Sequence, residues 1–209
     1  QVSGVTRALT GWVLRERQGE SLGEFDGLIL TAPAPQSQSL LAEPCPRLAA
    51  RAATARMQPC WAVGLVLEAP LELGFDAGFP SSGPLGWIAR SGSRPERPHL
   101  PEIWLLHATA AWSEANIEWS QDAVGEWLTQ AFADLINRHP VVTERFGHRG
   151  RFARARDARK AEGGYLESED ILCAGDWVSD GTREGAWQSG RAAAHRLLSR
   201  VGAASPVDG

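Results

Sequence analysis

Residues 171–195, ILCAGDWVSDGTREGAWQSGRAAAH, decide how the fold is interpreted. An apolar run ends at Gly175 and Asp176, a polar loop follows, and a helix is predicted to start near Arg183. A carboxylate just beyond the carboxyl end of a buried strand lies where open α/β sheets bind their ligands. The stretch therefore predicts a strand, a loop and a helix arranged at a ligand-binding edge.

The predicted helix is built largely from Gly, Ala and Ser. Gly185, Ser189 and Gly190 keep one side of it thin, so a sheet, another helix or a flat ligand can approach closely. The unpaired N–H groups and the positive dipole end at its start favour an anionic or electron-rich group. From these residues alone, a phosphate or ring bound at the helix start and plain packing of the helix stay equally open.

The composition bounds the class of protein. The 209 residues are 43% hydrophobic and 22% charged, and no apolar run approaches the roughly 18 residues of a membrane span, so we expect a soluble globular chain without a membrane partner. The net charge of -4 gives no general attraction to nucleic acid. Three cysteines without paired metal spacing predict structural thiols in a reducing compartment, and no metal site.

The start of the sequence predicts both a location and a gap. No basic-then-apolar signal segment is present, so we expect the cytoplasm. The first residue is Gln1 instead of Met, and residues 2–7 look like the middle of an element. We therefore expect an upstream part that is not included. At the other end, residues 203–209 predict a disordered tail.

The first 31 residues predict a small β unit. One strand is expected at residues 12–15, and residues 25–31 form a nearly continuous apolar run typical of a strand buried on both faces of a parallel sheet. The prolines at 33 and 35 should end that strand, and residues 36–41 then predict a short helix.

Residues 42–162 predict a different, sheet-rich unit. Strands are expected at residues 61–67, 86–89 and 103–108, with Gly- and Pro-rich loops at 74–83 and 91–101, and this succession favours an antiparallel sheet. After Ser120, apolar residues recur at helical spacing as far as Ile136 and predict an amphipathic helix that Pro140 ends. We expect its stripe, which includes Trp127 and Leu135, to be core.

Residues 145–160 are the only dense basic stretch, with six arginines and Lys160. Arg149 and Arg151 would share one face of a strand, so they could meet a phosphate or a carboxylate together. A solvated edge, partly offset by Asp157 and Glu162, is the simpler interpretation. A nucleic-acid-binding role for this stretch is a third interpretation, which the acidic net charge disfavours.

Several stretches together resemble the FAD-dependent amine oxidases, and more narrowly the renalase-like oxidoreductases. The stretch at 171–195 is similar to the C-terminal flavin-binding segment of that family, and residues 25–36 resemble its strand and proline turn near the adenosine side. Residues 57–62, 87–90, 104–113 and 148–153 resemble segments of its substrate domain, in the family's order.

The resemblance implies a set of binding residues. Asp176 would meet the ribityl or pyrophosphate part of FAD, and the helix start would face the pyrimidine edge of the flavin. The cofactor-binding residues it implies are Val5, whose backbone would meet the adenine, and Gly175, Asp176, Glu184, Gly185 and Ala186. From the substrate domain, the residues that could face the flavin or substrate are Trp61, Trp104, His107, Arg149 and Arg151. The alternatives are core packing for the tryptophans, a hydrogen-bonded strand position for His107, and the solvated edge for the arginines.

The fold implied is α/β, with a discontinuous Rossmann-like FAD-binding domain at 1–41 and 163–209 and an α+β substrate domain at 42–162 whose sheet is mostly antiparallel. The implied activity is hydride transfer from a small amine or a dihydronicotinamide-like substrate to flavin, with O2 as acceptor. No catalytic acid–base pair is assigned, because the cofactor carries such chemistry. The family's Gly-x-Gly-x-x-Gly unit is absent here. We therefore expect either a missing segment, an N-terminal FAD-binding partner chain, or a non-catalytic subunit or truncated remnant that packs against a nucleotide-binding partner.

Overall fold

The structure is a computed structural model that describes residues 1–168 and 170–203. It has the predicted α/β class with mostly antiparallel sheets. The chain divides into two compact units: the first combines Gln1–Met57 with the chain from Arg154 onward, and the second is Gln58–Ala153. Of the predicted tail, residues 204–209 lie outside the described residues.

The first unit contains two small sheets. Strands β1, β2 and β3 form an antiparallel meander, and β4 pairs in parallel with β11, which in turn pairs antiparallel with β10. The strands are β1 (Val2–Arg7), β2 (Trp12–Glu16), β3 (Ser21–Phe25), β4 (Leu28–Leu30), β10 (Leu166–Ser168) and β11 (Ile171–Cys173). The single strand expected at 25–31 is thus divided between β3 and β4.

Three helices complete this unit: α1 (Ala34–Leu41), α2 (Pro46–Ala53) and α5 (Arg183–Ala203). Helix α1 begins inside the proline turn, two residues earlier than expected, because a proline in the first turn needs no N–H partner and has a helical φ. A core of buried side chains, including those of Val5, Trp12 and Ile171, joins the sheets to α1 and α2.

The second unit is a five-stranded sheet in the order β6-β7-β8-β5-β9. Its antiparallel pairs include β5 with β8, β7 with β8, and β6 with β7. The strands are β5 (Arg56–Leu67), β6 (Ala77–Gly78), β7 (Leu85–Arg90), β8 (Glu102–Ala108) and β9 (Val142–Arg156). Helices α3 (Ala110–Ala115) and α4 (Gln121–Ile136) follow β8.

Helix α4 has clear ends and a buried stripe. The Ser120 hydroxyl accepts a hydrogen bond from the Ala123 N–H, and Asn137 ends the helix in the left-handed conformation at φ +51°, before Pro140 is reached. Val124, Leu128 and Phe132 are fully buried against the sheet. The expectation that the whole stripe is core was wrong for Trp127 and Leu135, which are 54% and 44% exposed because they lie on the flank of the helix.

Two functional classes can be checked directly on the fold. Within the described residues, no helix is both long enough and apolar enough to cross a membrane. In the same part of the chain, no three His, Cys, Asp or Glu side chains are grouped so that they could hold a metal ion. All three cysteines are free thiols, with Cys45 and Cys173 buried.

Candidate functional site

The loop after β11 is held in a conformation that only glycine adopts readily. Gly175 has φ +146° and ψ -178°, a region that is strained for any residue with a Cβ. Its N–H donates to the buried Ser189 hydroxyl at 3.1 Å, which ties the strand end to α5. The chain therefore turns abruptly at the carboxyl end of β11, as the sequence of this stretch predicts.

Asp176 comes next and lies half-buried in the first turn of a 3-10 helix. Its Oδ2 accepts the backbone N–H of Ala155 at 2.9 Å, while its carbonyl accepts from Ser179 and Gly181. Its Oδ1 has no hydrogen-bond partner among residues 1–168 and 170–203. The carboxylate is thus fixed in position by one oxygen, and the other can accept a hydrogen bond from a hydroxyl group of a ligand.

Helix α5 starts with a built-in cap. The Thr182 hydroxyl accepts the Gly185 N–H at 2.9 Å, the Thr182 carbonyl accepts the Ala186 N–H at 3.0 Å, and Thr182 itself donates to Asp180. These hydrogen bonds from Thr182 lower the pKa of the Asp180 carboxyl. Two of the N–H groups that we expected to be available to a ligand are therefore already used, and Glu184 is exposed and accepts from Gln188.

Gly185 is buried, and the space around it leaves no room for a side chain. A Cβ at this position would overlap the Asp180 carboxylate and the Ser179 hydroxyl. The sequence did not single out Asp180 or Thr182, although an Asp-x-Thr sequence before a helix is a recognisable capping signal.

Val5 lies on β1, an edge strand of its sheet, with its side chain in the core. On the neighbouring strand, the indole N–H of Trp12 is buried and has no hydrogen-bond partner in the described part of the chain. A buried unpartnered donor is uncommon in native proteins. The backbone of an edge strand can exchange hydrogen bonds with a planar heterocycle, whereas the buried Trp12 indole cannot reach one.

In the second unit, the two faces of the sheet differ in character. Along β8, Trp104, Leu106 and Ala108 point into the core shared with α4, whereas His107 and Leu105 are half-buried on the opposite face. On that opposite face the His107 and Trp87 rings lie 4.8 Å apart, tilted by 54°. Cross-strand pairing places Ala62 of β5 directly beside His107.

This second sheet face, here called the open face, carries further small and aromatic groups. The Phe146 ring lies directly over Gly64, where a Cβ would overlap it, and Phe146 itself is 53% exposed. Together with Trp87 and His107, these residues form an apolar surface with one imidazole. Trp87 and Phe146 were not among the residues predicted to bind a ligand; the strand register, which pairs Trp87 with His107, would have identified the first of them.

Trp61 and Trp104 lie on the helix side of the same sheet and are fully buried. The Trp61 indole N–H donates to the Asn116 carbonyl at 3.1 Å, and the Trp104 indole N–H donates to Glu102 at 2.8 Å. Strand alternation therefore separates both from His107, with which the sequence interpretation had grouped them.

Arg149 and Arg151 do lie together on one side of β9, and they meet a carboxylate of their own chain. Arg151 binds both oxygens of Glu118 at 2.8 and 2.9 Å, and Arg149 donates to Glu118 and to the Ile117 carbonyl. The hydrogen bond from Arg151, followed by the charges of the two arginines, lowers the pKa of Glu118. The Arg149 guanidinium also lies 5.6 Å from the centroid of the Trp61 ring.

Comparison with solved structures supports the same fold. A protein assigned as a protoporphyrinogen oxidase from Exiguobacterium sp. 255-15 superposes with a TM-score of 0.63 and 13% identity over 94% of this chain and 46% of its own. Cyclohexylamine oxidase from Brevibacterium oxydans IH-35A superposes with a TM-score of 0.66 and 11% identity over 96% of this chain and 48% of its own.

At these identities the likeness establishes the fold. The chain spans about half the length of either oxidase. No family model matches the sequence.

Proposed function

We propose that this chain is the C-terminal portion of an FAD-dependent oxidoreductase of the flavin amine oxidase type. The observation that carries the proposal is the Gly175 turn at the carboxyl end of β11, in a fold shared with two oxidases. An abrupt glycine turn followed by a fixed carboxylate and a helix start is a suitable arrangement for holding a dinucleotide.

The described residues fit one part of the cofactor. Asp176 has an unpartnered Oδ1 for a ribityl hydroxyl, and the α5 start offers its positive dipole end to the flavin ring. The backbone of the edge strand β1, which contains Val5, suits the adenine. A glycine-rich loop for the pyrophosphate is not among the residues of this sequence, so a second polypeptide segment must supply it.

When bound, the flavin would supply a hydride acceptor for the substrate, with O2 as the proposed acceptor of the electrons. The residues of this chain position the reactants. The open face of the second unit, with Trp87, His107 and Phe146, would contact an apolar or aromatic substrate.

Within this type we propose the renalase-like branch, acting in the cytoplasm on a small amine or a dihydronicotinamide-like substrate. Arg149 and Arg151 already bind the Glu118 carboxylate. They could contact a substrate phosphate only if they gave up part of that bonding. A substrate without a phosphate is therefore compatible with the open face alone.

The cofactor contact can be tested by equilibrium dialysis of FAD against the chain and two variants, each co-purified with the polypeptide encoded immediately upstream. Asp176→Asn keeps an oxygen for the Ala155 N–H but removes the charge, and should weaken FAD binding by about tenfold, the effect of one hydrogen bond to a charged group. Asp26→Asn removes an exposed carboxylate elsewhere in the same unit and should leave FAD binding unchanged. Equal FAD affinity of both variants and the wild type would overturn the assignment of Asp176.

The alternative, a non-catalytic subunit or remnant that packs against a nucleotide-binding partner, gives a different result. Such a chain would retain its fold and would bind no FAD, either alone or mixed with the polypeptide encoded immediately upstream.

A further inference from the structure

The arginines of the basic stretch at 145–160 are not alike in the structure. In the second unit, Arg145, Arg149 and Arg151 each have a glutamate partner. In the first unit, Arg156 is paired only with the exposed Asp157 at 3.3 Å. Arg159 has no hydrogen bond or ion pair with any residue in the described ranges.

Arg159 lines a cavity of about 380 Å³ in the first unit, and Arg51, a second arginine without a partner, lines the same cavity. Arg51, in the last turn of α2, has no partner for its guanidinium within residues 1–168 and 170–203. With Arg156 and Asp157 also on the rim, the lining carries two more positive than negative groups. Unpaired guanidinium groups that line one concave surface favour an anion, and their planar forks match a phosphate.

Part of the cavity wall is apolar. It includes the indole of Trp177, the side chain of Val178, and several alanines, among them Ala158. Alanine side chains are short, and this leaves the space that the cavity occupies. The Trp177 N–H already donates to the Ala32 carbonyl, so the indole presents only its apolar surface. Such a wall accepts a ring or a short apolar group.

We propose that this cavity binds a phosphomonoester with a compact ring or apolar body. The phosphate would lie between Arg51 and Arg159, and the body against Trp177 and Val178. The site is separate from the residues proposed for FAD, none of which lines the cavity. A phosphorylated metabolite bound here would be a second ligand of the protein, independent of the flavin.

Phenyl phosphate, which has both the ring and the phosphate, is a suitable probe for isothermal titration calorimetry with the full chain. Inorganic phosphate serves as the probe without a body. Phenyl phosphate should bind several-fold more tightly than inorganic phosphate, and added salt should weaken both. Absence of binding by both probes would overturn the proposal.

Variants distinguish the site from general charge attraction. Arg51→Ala and Arg159→Ala should each weaken phenyl phosphate binding by about tenfold, the loss expected for one charge-assisted contact. Arg17→Ala removes an exposed arginine from a turn of the same unit and should have no effect. Equal losses in all three variants would refute a specific site.

Two further measurements keep the result decisive. Ala158→Leu should fill the cavity and weaken phenyl phosphate while leaving inorganic phosphate binding intact; equal weakening of both probes would contradict the placement of the body. With the polypeptide encoded immediately upstream also present, addition of FAD should not displace phenyl phosphate. Displacement would show that the cavity belongs to the flavin site, and the proposal of a second ligand would fail even though the FAD proposal stood.

Discussion

Replacing Arg90 with Met should destabilise the protein strongly, because it strips a buried carboxylate of its counter-ion. The Glu102 carboxylate is 3% exposed, and its Oε1 accepts from Arg90 at 2.8 Å and from the Trp104 indole at 2.8 Å. Arg90 also donates to the Leu71 carbonyl at 2.7 Å and forms an ion pair with Asp76 at 2.9 Å.

The magnitude follows from what each substitution leaves behind. Arg90→Met leaves a buried charge with two neutral donors, Trp104 and Leu71, so the loss should be near the lower end of the range for such pairs, about 3 kcal/mol. Glu102→Gln keeps an oxygen for the Trp104 indole and leaves Arg90 with Asp76, so it should cost about 1.5 kcal/mol. The double variant has no uncompensated buried charge and should lose less than the two single variants together.

Urea unfolding followed by near-ultraviolet circular dichroism on the wild type and the three variants completes a double-mutant cycle. We expect a coupling energy of at least about 1 kcal/mol between the two positions. Additive losses would refute the reasoning, since they would mean that the two side chains do not depend on each other.

Three more predictions concern the glycine turn, the Glu118 pair and the thiols. Gly175→Ala should lower the free energy of unfolding by about 1–3 kcal/mol, because Gly175 has a φ of +146°. In the same urea titration, Gly190→Ala, which adds a Cβ in open space within α5, should be neutral or should stabilise by up to about 1 kcal/mol. Similar losses in both variants would contradict this reasoning. Since the Glu118 pKa is lowered in the fold, its contribution is present above the ordinary glutamate pKa of about 4.3 and is lost as the pH falls through the lowered value. The melting temperature of Glu118→Gln should therefore lie below that of the wild type near neutral pH and converge with it in acid; a constant difference would count against the pair. Burial, with a smaller effect of the Cys45 charge, raises the pKa of Cys173 to about 12. A thiol reagent near pH 8 should therefore label the half-buried Cys60 before Cys173. Peptide mass mapping that found the reverse order would show that Cys173 is not buried.

The local elements were predictable because their signals are local. The apolar run at 171–173, the small-residue helix after Arg183 and the helix after Ser120 all depend on residues close together in sequence, and each is present in the structure. The break between β3 and β4 was not predicted, since Asp26 and Gly27 interrupt the ladder within an otherwise apolar run.

The side-chain partners could not be predicted, because they depend on long-range pairing. Whether Arg151 meets a ligand or Glu118 depends on the loop after α3 lying beside β9, 33 residues away in sequence. The separation of His107 from Trp104 could have been predicted from strand alternation, since residues three apart on a strand lie on opposite faces. The pairing of His107 with Trp87 required the register.

The central claim is that this chain is part of an FAD-dependent oxidoreductase, and the visible spectrum of the purified protein tests it most directly. The spectrum is recorded for two preparations: the chain alone, and the chain co-purified with the polypeptide encoded immediately upstream. The account predicts that the second preparation is yellow with flavin absorbance bands, and that an amine or dihydronicotinamide substrate bleaches these bands when O2 is excluded. Colourless protein in both preparations, with circular dichroism showing that the protein is fully folded, would contradict this claim.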